Sequence, residues 1–281
     1  LHNNLQDCSV YDVLEYLDGT CIRVYFHNNE WRVATKGHTD ANRTKWSSEK
    51  SFGTLFQEVL QGYSGFSYDL LQRENTYVFL LQHSDNKIVC PVLENKIVLS
   101  EVYDNQTLVR VEPSPELVAC FGGLRKIAIS NTRELQVFLE VAEISQKGVY
   151  FRHKTNNSRF YVVCKKYHER EQLKGNTLDM KKQYCELRHA NNHHQFTTQF
   201  PEYAPMVSEL EQQIQNYVRH IHNLYMSKHV RKETVECNPI EKKFLYTIHG
   251  FYLRTRQKMT TKLVENLLFC VNPQFALDNT N

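Results

Sequence analysis

Two short runs near the amino terminus place polar groups at strand ends, where a site can be built: Asp18-Gly19, and Thr35-Lys36-Gly37. A second concentration of chemistry lies further on. Between Arg152 and Arg188 there are ten Lys/Arg against four Asp/Glu, although the whole chain carries only +3. Phe151, Phe160, Tyr161, Tyr167 and Tyr184 are interleaved with these charges. Cations mixed with aromatic rings are what a surface needs to track phosphates and stack bases. Arg152, Arg159, Lys165, Lys166 and Arg170 are therefore candidate RNA contacts. The competing interpretation is a solvated helix face beside core aromatics. The eight cysteines lie far apart with no C-x-x-C pair, which favours thiols in a reducing, cytoplasmic compartment over disulfides or zinc. His193-His194 sits in the polar stretch HANNHHQ, and no metal site or cofactor is expected.

These residues need a scaffold, and the apolar pattern supplies one. Val13, Ile22, Val24 and Phe26, then Trp31, Val33 and Thr35, describe three antiparallel strands between Tyr11 and Gly37. Ser51 caps a helix whose Phe52, Leu55, Phe56, Val59 and Leu60 fall on one face, and a second short helix is expected around Tyr68 to Leu71. Tyr77 to Gln82 reads as a strand for the middle of a sheet, followed by strands at Asn86 to Val89 and Lys96 to Tyr103. Helices follow at Ser114 to Phe121 and from Asn131 to Ile144, then a hairpin of Lys147 to Arg152 and Arg159 to Val163 around Asn156-Asn157. From Lys165 onward the chain turns helical. Stripes at Val207 to Tyr225, Phe244 to Tyr252 and Leu263 to Leu268 give a carboxy-terminal helical domain, with the boundary expected at 188/189.

At 281 residues the chain can hold two modest domains. With 41% apolar and 12% aromatic residues it is too hydrophobic for disorder. No run approaches the ~18 apolar residues of a membrane span, and no signal peptide is recognisable, although the start at Leu1 leaves an upstream segment open.

Tyr16-Leu17-Asp18-Gly19, the strand ending in Lys36-Gly37, Phe79-Leu80-Leu81, Asn86-Lys87-Ile88-Val89 and Asn95-Lys96-Ile97-Val98-Leu99 follow one another in the order and spacing of a known pattern. The region Tyr11 to Tyr167 resembles the covalent nucleotidyltransferases, and within them the phage-type RNA ligases. The resemblance implies an α+β fold: an antiparallel-sheet nucleotidyltransferase domain over 1–188 followed by a helical domain over 189–281. It also implies a nucleotide cleft lined by Tyr16, Asp18, Gly19, Lys36, Phe79, Gly148 and Tyr161. In that family the first motif is lysine, any residue, aspartate, glycine, and the lysine attacks the α-phosphate of ATP or GTP. Here the nucleophile position is Tyr16, the sugar-binding acid is Leu80, the metal-binding acid is Lys147, and the two phosphate lysines are Tyr161 and Val163. The tail residues His249-Gly250-Phe251-Tyr252-Leu253 resemble proteins of large DNA viruses.

Three functions compete. A ligase-like pseudoenzyme would bind RNA, at a 5′ end or an mRNA cap, with aromatic rings where charges once held a triphosphate and with no catalytic residue. An active nucleotidyltransferase would use a displaced lysine, Lys36 or Lys147. A scaffold would bind a protein partner through the carboxy-terminal helices. The loss of nucleophile, acids and phosphate lysines together favours the first.

Overall fold

The computed structural model describes residues 8–156 and 158–278, so Asn157 of the expected Asn156-Asn157 turn lies outside the described residues. The architecture is α+β, with antiparallel strands first and helices after. The strands are β1 Tyr11–Tyr16, β2 Thr20–His27, β3 Glu30–Thr35, β4 Asn75–Gln82, β5 Lys96–Asp104, β6 Arg110–Val111, β7 Gly148–His153 and β8 Arg159–Val163. Helices α1 Phe52–Leu60, α2 Pro115–Phe121, α3 Thr132–Val141 and α4 Lys165–Lys174 accompany them. There follow α5 Met180–His189, α6 Phe196–Gln199, α7 Ala204–Tyr225, α8 Pro239–Thr255, α9 Thr261–Val271 and α10 Phe275–Asp278. Compact units cover Leu1–Glu171 and Gln172–Asn281, so the division falls inside α4 rather than at 188/189.

The first unit holds two sheets, ordered β1-β7-β8 and β3-β2-β4-β5-β6. This corrects the expectation that Tyr11 to Gly37 forms consecutive hairpins. β2 and β3 do pair, but β1 pairs with β7, placing Tyr16 opposite Gly148. Asp18-Gly19 is thus the crossing between two sheets and not a hairpin turn. The reason is packing: Val13 joins Val149, Phe151, Ile129 and Leu135 in one core, whereas Ile22 and Val24 join Tyr77, Phe79, Leu81, Leu55 and Phe56 in another. Each such side chain contributes roughly 1.5–3 kcal/mol on burial, more than a local turn preference supplies.

Gly19 is required at the crossing, because a Cβ there would lie 2.9 Å from the Leu81 carbonyl oxygen. Gly148 is required by the still closer approach of the Val162 carbonyl. Asn86 to Val89 is a second correction. It is not a strand but a short 3-10 turn at Ser84–Asn86 followed by a loop, held from outside by Asp18 as described below. The Asn131 helix stops at Val141 rather than Ile144, since Ala142 leaves helical geometry.

The second unit packs α7 with α8 and α9 around Leu210, Ile214, Val218, Ile221, Phe244, Ile248, Val264 and Leu268. Asn238 and Glu241 form a capping box at the start of α8. After α7 the chain makes a six-residue π-helical turn, Met226–Arg231, and closes it with Lys232 in the left-handed conformation. This turn stacks the His229 ring on His249, centroids 3.9 Å apart and planes within 18°. Burial lowers the His229 pKa, and the charges of His249, Lys228 and Lys232 lower it further. A histidine with a folded-state value below its unfolded one takes up its proton more readily when unfolded. Its stabilising contribution is therefore complete above about pH 6.5 and is lost as pH falls through the folded value. The thermal midpoint of the helical unit should drop between pH 7.5 and 5, and His229→Asn should flatten that drop. Identical pH profiles for the two proteins would remove this pair from the account.

Candidate functional site

The site is built on the face of the β1-β7-β8 sheet that looks towards the other sheet. Strand alternation puts Val149 and Phe151 of β7 into the core, so Gly148, Tyr150 and Arg152 lie on the opposite face. Register then sets three rows across the sheet: Tyr16, Gly148 and Val163; Leu14, Tyr150 and Tyr161; Asp12, Arg152 and Arg159. With no side chain at Gly148, Tyr16 and Tyr161 meet diagonally and stack, 4.8 Å between centroids and 29° between planes. Tyr161 is 60% exposed and keeps an open outer face. Burial raises the Tyr16 pKa, with Lys147 opposing, so its phenol stays neutral near pH 7.

Lys147 directs its ammonium to this corner: Nζ lies 4.7 Å from the Tyr16 ring centroid, 5.1 Å from that of Tyr167 and 3.5 Å from Asp18 Oδ1. Asp18 itself is turned inward. Its Oδ2 accepts from the Val89 and Cys90 amides, both at 2.9 Å, and its Oδ1 accepts from the Tyr167 hydroxyl at 2.8 Å. It is 4% exposed. Burial, and then the Asp18 charge, push the Tyr167 phenol far above its ordinary range and raise the Cys90 thiol to about 12. Asp18 therefore locks the 86–90 loop and α4 onto the crossing and does not line a nucleotide pocket, a correction to its expected role.

Phe79 is also corrected. It is 1% exposed and packs between Phe56 and Phe121, so it offers no stacking face. On β4 the alternation sends Tyr77, Phe79 and Leu81 into the core and leaves Val78, Leu80 and Gln82 on the side of the candidate site.

Between the sheets, Glu101 of β5 accepts from the Tyr150 hydroxyl (2.6 Å), the Tyr103 hydroxyl (2.6 Å) and Arg159 Nη1 (2.7 Å). Burial and then the Glu101 carboxylate raise Tyr150 above its usual range and Tyr103 to about 12. Sequence reading missed this cluster, as it missed Arg23. The space left nearby, lined by Leu14, Glu101, Arg110, Lys126 and Arg152, is a cavity of 130 Å³. Small-molecule pockets run to roughly 300–1,000 Å³, so a nucleotide does not fit within it and must use the open side. There Arg23 and Lys36 are exposed, and their charges, with that of Arg159, act on the half-buried Cys21 thiol. Burial raises that thiol, and the three cations pull the other way. Arg159 stands two residues before Tyr161 on the same face of β8, with its side chain 54% exposed.

The candidate RNA residues divide. Lys165 and Lys166 are exposed in the first turn of α4, where the helix dipole adds to their positive charge. Arg152 is tied to Asp12 at 3.0 Å with only 15% of its side chain exposed. Burial raises the Asp12 pKa, but Arg152, Lys126 and Arg110 outweigh it and hold the carboxyl below its usual value. Arg170 is a correction: it is 4% exposed and donates to the Val89 carbonyl, so it supports the same loop as Asp18 and tracks no phosphate. Arg188, at the end of the basic stretch, is spent on Glu211 and Glu265.

None of the eight cysteines forms a disulfide. Glu58, His83 and Asp85 bring ligand-type atoms within 4.8 Å of one another, but the Lys50 ammonium already bridges the two carboxylates at 2.9 and 3.2 Å. No helix among the described residues is long and apolar enough to cross a membrane.

No family model matches the chain. It is 29% identical over 120 residues to an RNA ligase of Rhodothermus phage RM378, a match covering 39% of this chain and 27% of that protein. The chain is thus similar in sequence to an RNA ligase over part of its length. The chain is also similar to solved structures of a Naegleria gruberi RNA ligase. The apo form gives a TM-score of 0.42 at 10% identity over 57% of this chain and 50% of that one. The form with PPi gives 0.42 at 11% over the same shares. Over more of its length the chain is similar to the immediate-early protein ICP-46 homologs of two invertebrate iridescent viruses. Identity is 25% over 270 residues in Invertebrate iridescent virus 6 and 26% over 245 in Invertebrate iridescent virus 3, covering 88% and 82% of this chain. The chain spans 59% and 52% of the length of those curated relatives.

Proposed function

We propose that the first unit, Leu1–Glu171, is an RNA ligase-like unit that binds an RNA 5′ end, or the cap of an mRNA, on the open side of its two sheets and performs no covalent chemistry there. The observation that carries this is the exposed Tyr161 ring, stacked on Tyr16 on one side and open on the other, with Arg159 two residues before it on the same face of β8. The exposed Arg23 and Lys36 can take the phosphates of an RNA terminus, Arg159 being paired with Glu101, and the outer face of Tyr161, backed by Tyr16, can take the terminal base. Lys165 and Lys166 would extend the phosphate contacts along the strand.

The chemistry of nucleotidyl transfer has little support in these residues. The phenol at the nucleophile position is half-buried and neutral, and Lys147 stands where the resemblance expects the metal-binding acid. One observation favours the enzyme reading: the Lys147 amine converges on the Tyr16 ring, beside the place of the missing lysine. Its ammonium is already engaged in an ion pair with the buried Asp18 carboxylate, 3.5 Å away. Incubating the protein with radiolabelled ATP or GTP plus magnesium or manganese should therefore give no acid-labile adduct. A labelled band that disappears in Lys147→Arg would restore the enzyme.

A further inference from the structure

We propose that the outer face of α8, in the helical unit, is a binding surface for single-stranded RNA, independent of the terminus site in the ligase-like unit. The helix buries Phe244, Leu245 and Ile248 against its neighbours. That leaves Lys242, Lys243, Tyr246, Leu253 and Arg254 exposed. At spacings of three, four and seven residues these form one stripe. From Lys242 to Arg254 it runs about 18 Å at ~1.5 Å per residue, enough for several nucleotides.

Tyr246 is 77% exposed, more than the Tyr161 ring of the ligase-like unit. Beyond it Gly250 leaves a flat gap: a Cβ there would meet nothing nearer than Arg254 Nη1, 3.8 Å away. A ring with open space at its side and cations before and after it can take a base on its face and the flanking phosphates on the ammonium and guanidinium groups. The stripe carries no carboxylate. The single acidic residue of α8, Glu241, faces elsewhere, bonded to His220 at 2.7 Å and to the Asn238 amide in the cap. The excess continues around the helix, with eight Lys/Arg against three Asp/Glu from Met226 to Lys258. An acidic peptide would satisfy the charges but gives Tyr246 no π-face to stack on, so RNA fits the stripe better. This inference stands on α8 alone and does not need the terminus reading.

The test uses the full chain and a fluorescent circular oligouridylate, which has no 5′ end for the ligase-like unit to hold. Wild type is expected to bind the circle. Tyr246→Ala should weaken binding about 5- to 150-fold, the effect of one base stack, while Tyr246→Phe keeps it. Lys242→Gln with Lys243→Gln should reduce the log-log salt slope by about 1.4, at ~0.7 per phosphate contact. A wild type that holds the circle as tightly as linear RNAs with 5′ ends would count against the terminus reading and leave this one standing, so the two failures are seen separately. The inference is overturned if the wild type does not hold the circle, or if Tyr246→Ala binds it unchanged. It is equally overturned if polyglutamate of matched charge displaces it as well as RNA does, which would assign the stripe to an acidic protein.

Discussion

Replacing Asp18 by Asn is expected to destabilise the ligase-like unit by about 3 to 5 kcal/mol, the usual cost of breaking a buried, fully hydrogen-bonded charge. The substitution keeps the shape and changes the chemistry. All the groups bonded to the carboxylate are donors: the Val89 and Cys90 amides, the Tyr167 hydroxyl and the Lys147 ammonium. An amide group turns one acceptor oxygen into a donor, so at least one buried donor is left facing another. The Lys147 charge, with 18% of its side chain exposed, loses its counter-ion at the same time. Urea unfolding of the variant should show a lower midpoint with an unchanged slope for the first unit. An unfolding free energy within about 0.5 kcal/mol of wild type, the range of an ordinary surface change, would show that Asp18 is not the clasp described here. The outcome bears on function because the same aspartate would have been assigned to ligand contact from the sequence pattern alone.

Tyr161→Ala is expected to remove roughly 1 to 3 kcal/mol of affinity for the recognised RNA terminus, the range for a single base stacked on a single ring. The effect should exceed that of Tyr16→Ala, because the two rings already stack and only Tyr161 keeps a free face. The loss should be confined to RNAs that carry the recognised terminal nucleotide. Lys165→Glu with Lys166→Glu, in contrast, should weaken all RNAs about equally, since phosphate contacts carry no information about the end. Leu80→Glu, which restores the acid of the ligase pattern, should not recover adenylation while Tyr16 remains. The measurement is a set of dissociation constants for capped and uncapped oligomers with each variant. Equal losses for both oligomers would mean that the tyrosines support folding or general backbone contact, and the scaffold reading would then take precedence.

The alternation of apolar residues was enough to place β2, β3, β4 and β5 and the helical stripe of α7, because each is set by local periodicity. The partner of β1 was not legible. Asp18-Gly19 has the residues of a hairpin turn, yet long-range packing of Val13 against Phe151 decides the pairing. β4 misled for a related reason: Tyr77 to Leu81 is apolar on both faces, so composition does not reveal that Phe79 points inward while Leu80 points to the site. The Glu101 cluster joins residues 49 and 58 positions apart and leaves no local signal. The basic stretch looked continuous in sequence, but it crosses from one unit to the other, and Arg152 and Arg188 are consumed by ion pairs. The stack of Tyr16 on Tyr161 was likewise invisible to local pattern. The resemblance placed both at the old cleft, and the missing side chain of Gly148 explains how they meet.

The most direct measurement of the central claim is equilibrium binding of the wild-type full chain to one short RNA sequence prepared with a cap, a 5′ triphosphate, a 5′ monophosphate, or as a closed circle. Recognition of an RNA terminus predicts that one of the three linear forms binds at least about tenfold more tightly than the circle, a difference of ~1.4 kcal/mol, and that this preference survives without divalent metal or any covalent adduct. Equal dissociation constants for all four RNAs would contradict it.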